Sequence, residues 1–556
     1  MSEQDVNPNR YNELRSICQY HIDIYNALYQ LKTENNEDLK SIYKQIKTEL
    51  IDSKNRHPKS IIKDILMIIQ FNNRYTKSYL TLAKFVCDDY HITEVSDIPI
   101  VSSFLFYKEY GIKLDKSGHF GNIESENLDI HTEDTIYSAI MYNDLERFIC
   151  FTEREGFDKN QRLQSSLYPY CCYGYSLLEL CCYHGAVDCF KFLRTNFNSE
   201  ITGVCLQFSF LGGNKDIMSE CLKYQKPNHV CMRNVIISHN IDFVTFLMNE
   251  YNLIIELDYC KAFNNVESFL VYFDQTNDIN KCFVYSAKFD IPSLCEYFLS
   301  HGANINEKYD GSTALHYAAL NSSKDTGEVL ISHGADINEK DKHGQTALHI
   351  ALHNNNKEIA ELLISHGANI NEKDYQERIS LHYAAENNNK ETAELLISLG
   401  ANINEKDEYG KTALHCAAEK NNKETAELLI SHGANINEKD KNGKTVLHLA
   451  PHFGGKEIAE LLISHGANIN EKDNDGQTAL HYAAENNSKE TAEVLLSYGA
   501  NVNEKDNDGQ TALHYTPHFD GKEIAELLLS YGANVNEKDN DEKPLFIMHH
   551  ILMVKK

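Results

Sequence analysis

At 556 residues, 42% of them hydrophobic, the chain is too long for a single compact core and too apolar for a disordered one. Its net charge of −28 divides as −3 over 1–130, −8 over 131–300 and −17 over 301–556, an acidity that repels phosphate backbones and argues against nucleic acid as a partner. The longest apolar run, "IIKDILMIIQF" (61–71), carries Lys63 and Asp64 and is too short to insert in a membrane. The 15 cysteines show no disulfide spacing, which suits a reducing, cytoplasmic setting.

The first ten residues, "MSEQDVNPNR", lack the apolar centre of a secretory signal. Residues 1–130 read as a helical domain. Apolar periodicity predicts helices over Tyr11–Leu31, Glu37–Ile51, Lys59–Phe71 and Lys77–Tyr90, with breaks at Asn72–Asn73 and Asp88–Asp89. Within it, "HPKSIIKDIL" (57–66) is faintly similar to the start of an F-box, a proline followed by Ile-Ile and Ile-Leu at helical spacing.

Residues 131–300 carry weak copies of a pattern that becomes regular later. "IYSAIMYNDLERFICF" (136–151) reads as a half-unit. "GYSLLELCCYHGAVDCFKFLR" (174–194) aligns without a gap on the later repeat, Leu178 at a core leucine and Cys181–Cys182 at a buried pair. Further copies follow near 206–222, 233–247, 258–270 and 283–299.

From 301 to 556 the period is 33 residues. "TALH" stands at Thr313, Thr346, Thr412, Thr478 and Thr511, with "TVLH" at Thr445 and "ISLH" at Ile379. One unit explains all. "DEYG" (407–410) is a turn, and Thr412 caps a helix whose Leu414, Ala417 and Ala418 face inward. "EKNNK" (419–423) breaks the chain. "ETAELLISH" (424–432) is a second helix packing through Ala426, Leu428 and Leu429, and Gly433 ends it in left-handed conformation. Such a unit buries its apolar side only against copies of itself. The segment after 539 starts one more unit and reads as a C-terminal cap.

The pattern D-x-x-G-x-T-A-L-H-x-A-A followed by L-L-I-S-H-G-A-N-I-N resembles the ankyrin-repeat family. The layout is similar to protist ankyrin proteins with a helical N-terminal domain of unknown role, then degenerate and then regular repeats. The resemblance implies an all-α solenoid of helix–turn–helix repeats with β-turn fingers. It also implies that His316, His349, His382, His415, His448, His481 and His514 bond neighbouring backbone rather than a metal. The third copy departs from the pattern, with Glu377 for glycine and Ile379 for threonine.

The sequence holds no phosphate loop, no G-x-S-x-G and no H-E-x-x-H, and adjacent cysteines are not the C-x-x-C of a zinc site. No enzyme activity, cofactor or metal is expected. The resemblance implies a scaffold that binds a partner protein on its concave face, through finger tips and first-helix ends. At these positions stand Lys342, His343, Tyr375, Gln376, Arg378, Glu408, Tyr409, Lys411, Lys441, Phe453, Asp475, Asp508 and Phe519, with Tyr375 and Tyr409 as anchors and Phe453 and Phe519 either anchors or fillers of the space left where Pro451 and Pro517 replace alanine. The later tips are acidic, which suits a basic or amphipathic partner segment. The F-box likeness gives an alternative, a substrate adaptor of a ubiquitin ligase docked through 1–130.

Overall fold

The computed structural model describes residues 8–541, except 54–55, 117–119, 121–127, 129, 131–133, 170–172, 454 and 517–520. Phe519, Cys171–Cys172 and nearly all of the expected C-terminal cap lie outside the described residues, as does the side chain of Phe453. The chain forms two compact units, Met1–Ala303 and Asn304–Lys556. No helix among the described residues is long and apolar enough to cross a membrane.

The first unit opens with six helices, α1 (Pro8–Ile17), α2 (Gln19–Tyr29), α3 (Asn36–Gln45), α4 (Pro58–Ile68), α5 (Thr76–Asp89) and α6 (Ile100–Tyr110). The helix predicted over Tyr11–Leu31 divides at Cys18, and α3 runs on into a π-helical turn, Ile46–Ile51. Capping sets the starts: Asn35 accepts from the Glu37 N–H at 2.9 Å, and Pro58 occupies the first turn of α4, where its missing N–H costs nothing. Ile61, Ile65 and Ile68 on α4 meet Tyr79, Leu82, Ala83 and Val86 on α5 in one buried cluster. Sequence periodicity did not announce α6, because Ser102 and Ser103 face inward while Ile100 is exposed; the Ser102 hydroxyl is satisfied by the Leu66 carbonyl at 2.8 Å.

Antiparallel helix pairs follow. Ile136–Met141 with Leu145–Thr152 is a complete pair where the sequence suggests half a unit. Then come Leu177–His184 with Val187–Phe197, Gly203–Gly212 with Lys215–Leu222, His229–Ile237 with Ile241–Tyr251, Leu257–Ala262 with Val266–Thr276, and Ile279–Phe289 with Pro292–Ser300. Cys181 and Cys182 are core residues, as the alignment requires, and burial pushes both thiols up. Neighbouring first helices approach closely at Gly212, where an added Cβ would stand 2.8 Å from the Tyr183 carbonyl oxygen.

The N-terminal helices lie against one face of these pairs, that of the turns between first and second helices. Tyr29 stacks on His239 with ring centroids 4.3 Å apart, and Phe71 meets Phe263 edge-on. Arg15 holds Glu267 at 2.8 Å, and Arg74 donates to the carbonyls of Met141 and His184.

The second unit contains seven helix pairs among the described residues, from Ala314–Leu320 with Lys324–Ser332 to Ala512–Tyr515 with Lys522–Ser530. Leu414, Ala417, Ala418, Ala426, Leu428 and Leu429 are buried as the periodicity predicts. The small alanines let successive first helices pack closely. In the fifth pair the first helix shrinks to Val446–Leu449 and continues as a 3-10 turn over Ala450–Phe453, because Pro451 cannot donate to an α-helical ladder. Lys340, Lys373, Lys406, Lys439, Lys472 and Lys505 each ion-pair with a glutamate of the next repeat at 2.6–2.8 Å, beginning with Lys340–Glu372.

Candidate functional site

The fingers that precede the first helices are built on a buried aspartate. Oδ1 of Asp341 accepts the N–H groups of His343 and Gln345, both at 2.8 Å, and closes the turn. Asp374, Asp407, Asp440, Asp473 and Asp506 do the same for theirs. The fourth residue of each turn is left-handed, glycine at 344, 410, 443, 476 and 509 and Glu377 in the third repeat at φ 58°.

Successive tips are joined backbone to backbone. Tyr375 N–H donates to His343 O (3.1 Å), Glu408 to Gln376 O (2.8 Å), Lys441 to Tyr409 O (2.9 Å), Asn474 to Asn442 O (3.0 Å) and Asn507 to Asp475 O (3.0 Å). Of the sequence-predicted residues, His343, Tyr375, Gln376, Glu408, Tyr409, Lys441 and Asp475 thus fall on one strip, held by hydrogen bonds that do not depend on their side chains.

The "TALH" histidines fix the strip from beneath. The Thr412 N–H donates to Nδ1 of His415 at 3.1 Å, so Nδ1 carries no proton. The same bond forms in the other six repeats, from Ile379 in the third. The proton on Nε2 is then free to donate forward: His316 to Gln345 O (3.0 Å), His349 to Glu372 O (3.1 Å), His448 to Gln477 O (3.2 Å). Burial holds all seven imidazoles below their ordinary pKa, which keeps them neutral.

The predicted residues divide by environment. Lys342, His343, Gln376, Lys441, Asp475 and Asp508 are exposed at the tips, and Tyr375 and Tyr409 are 71% and 53% exposed. Glu408 is half-buried. Arg378 and Lys411 are engaged within the chain, Arg378 with Glu386 at 3.0 Å and over the Tyr383 ring, Lys411 with Glu419. At the equivalent place in the sixth repeat stands Gln477, so Glu485 at the first-helix end has no ion pair among the described residues.

Sequence reading missed the polar network under the strip. The hydroxyls of Tyr383, Tyr482 and Tyr515 donate to Oδ2 of Asp374, Asp473 and Asp506, and Gln345 and Gln477 donate in turn to the tyrosines of the following or next repeat, Tyr383 and Tyr515, at 2.9 and 2.6 Å. Its signal was an aspartate and a tyrosine nine residues apart. The F-box-like stretch is core: Ile61, Ile62, Ile65 and Leu66 are each no more than 1% exposed.

Residues 283–374, 333–407, 381–473 and 453–539 each match the family model for ankyrin repeats (three copies). Residues 283–539 are ankyrin repeats. Residues 197–272 match a domain of unknown function, DUF3447, and no curated protein matches the chain. The ankyrin match begins inside the helix Ile279–Phe289, ahead of the first "TALH" copy, and so takes in the last helix pair of the first unit. Ankyrin repeats support a role in protein–protein interaction.

Proposed function

We propose that the chain is a non-catalytic scaffold that binds a partner protein on the concave face of its ankyrin array, along the finger tips and first-helix ends between Lys342 and Asp508. The observation that carries this is the separation of constant from variable positions. Core, turn aspartate and histidine repeat, while the tips vary along the array up to the shared Asn-Asp of the sixth and seventh repeats, and all but the half-buried Glu408 are exposed. Tyr375 and Tyr409, in neighbouring fingers, are large amphipathic side chains of the kind that dominate interface energetics. The hydrogen-bonded strip that presents them is ordered before binding, so a modest contact area suffices. Asp475, Glu485 and Asp508 suit a basic or amphipathic segment of the partner, in the cytoplasm.

Affinity capture with the full chain, set beside the Tyr375→Ala, Tyr409→Ala double variant, tests the reading. The expected result is loss of a specific partner from the double variant with its thermal midpoint unchanged. An identical set of captured proteins would remove the tips from the binding surface.

A further inference from the structure

One face of these repeats already has an occupant in the first unit. There α1 and α2 and the segments that follow lie on the turns between first and second helices. Glu267, second residue of the helix Val266–Thr276, receives Arg15 at 2.8 Å. Arg10, nearer the start of α1, reaches the other end of that helix, where it donates to Asn277 and stands 4.4 Å over the Phe273 ring. On this face Arg15 of α1 meets the glutamate, while Asn26 on α2, Gln30 at its end, Arg56 before α4 and Asp64 on α4 bond the left-handed turn residues His239 and Asn264.

The second unit rebuilds that face. Its turns carry left-handed Asn355, Asn388 and Asn487 where the first unit has His239 and Asn264. One hydrogen bond establishes the correspondence: Asn265 Nδ2 donates to the Ile236 carbonyl of the preceding pair at 2.8 Å, and Asn356 donates to Ala319 O at 2.8 Å. The second helices Lys357–Ser365, Lys390–Ser398, Lys456–Ser464 and Lys489–Ser497 place Glu358, Glu391, Glu457 and Glu490 at the position of Glu267. All four are exposed and have no ion pair among the described residues.

We propose that this turn face of the array receives an arginine-bearing helical surface of the partner protein, seated on the row of glutamates as Arg15 is seated on Glu267. The proposal rests on the reading that the array binds a protein, and it adds a second face, beside the finger tips, and the chemistry of what that face receives.

The test uses the full chain, whose own helices fill the first unit, and a fluorescent peptide of residues 8–29 as the probe. Binding is followed by anisotropy and by hydrogen exchange. The expected result is binding with protection over 355–358, 388–391 and 487–490. Reversing the peptide's charges (R10E, R15E), or the array's (E358K, E391K, E457K, E490K), weakens it at least tenfold, while the array variant keeps its thermal midpoint. No binding, binding indifferent to either reversal, or protection confined to other segments overturns the proposal. Protection confined to the tips 375–376 and 408–409 would leave the tip-binding function standing and remove this face alone.

Discussion

Arg378 places its Nε 3.9 Å from Oδ2 of Asp407 in the next repeat, where the third, sixth and seventh repeats satisfy their aspartates with a tyrosine hydroxyl. The fourth repeat has Cys416 at that position, fully enclosed, and burial pushes its thiol up to about 12. Neither Asp407 Oδ2 nor Arg378 Nε has a hydrogen-bond partner, so beyond the two N–H groups on Oδ1 the guanidinium's charge offsets the desolvation of the carboxylate.

Removing the guanidinium therefore leaves Oδ2 of a buried carboxylate without the cation that faces it. Arg378→Ala is expected to cost about 2–4 kcal/mol in urea unfolding. The double change Arg378→Gln, Cys416→Tyr rebuilds the network of the neighbouring repeats and is expected to match or exceed the parent. A double variant as weak as Arg378→Ala would show that the ion pair is not what holds this junction.

Glu377 takes the left-handed conformation that glycine supplies in the other fingers. The steric penalty for a residue with a Cβ is about 1–2 kcal/mol, and glycine returns part of it as unfolded-state entropy. Glu377→Gly should raise stability by about 1 kcal/mol, read as a shift of the denaturation midpoint. Its exposed pair with Lys373, at 3.9 Å, is too weak to reverse the sign.

The histidine ladder makes stability depend on pH. The buried imidazoles have pKa values below the ordinary 6.5, so the unfolded chain binds more protons than the folded one once the pH falls through that value. Stability is full above pH 6.5 and declines below it. The glutamates paired to lysines, such as Glu372 and Glu438, are held below 4.5 and lose their contribution only at lower pH. Denaturation midpoints between pH 7.5 and about 5.5 should fall before any carboxylate titrates. A flat profile across that window would mean the imidazoles are not held neutral.

Gly212 stands where the first helices of two degenerate repeats nearly touch. Gly212→Ala puts a methyl group against the Cys182 and Tyr183 carbonyls, and neither backbone can yield cheaply. The expected loss is about 2–3 kcal/mol, together with faster hydrogen exchange over 203–222. An unchanged midpoint would show that the junction is looser than described.

The regular repeats were legible because a short code, turn aspartate, threonine, leucine, histidine and paired alanines, recurs at fixed spacing and each letter has a local job. The tips were legible as the positions where that code varies. Asp374 and Tyr383 escaped notice for the opposite reason: they belong to the constant background, and their bond crosses nine residues of chain. The seat of α1 on Glu267 spans 252 residues and depends on tertiary packing that no local pattern encodes. The same holds for α6, whose inward side mixes Ser102 and Ser103 with Val101 and Phe106.

The tip-to-tip bonds, the histidine donors and the lysine–glutamate pairs each join a repeat only to its neighbour, and each is drawn from the same positions on both sides. A duplicated stretch of 33 residues would meet matching partners above and below wherever it was spliced in. The array can therefore be lengthened or shortened by recombination without redesigning a junction, and reach becomes a quantity that evolution can adjust one unit at a time.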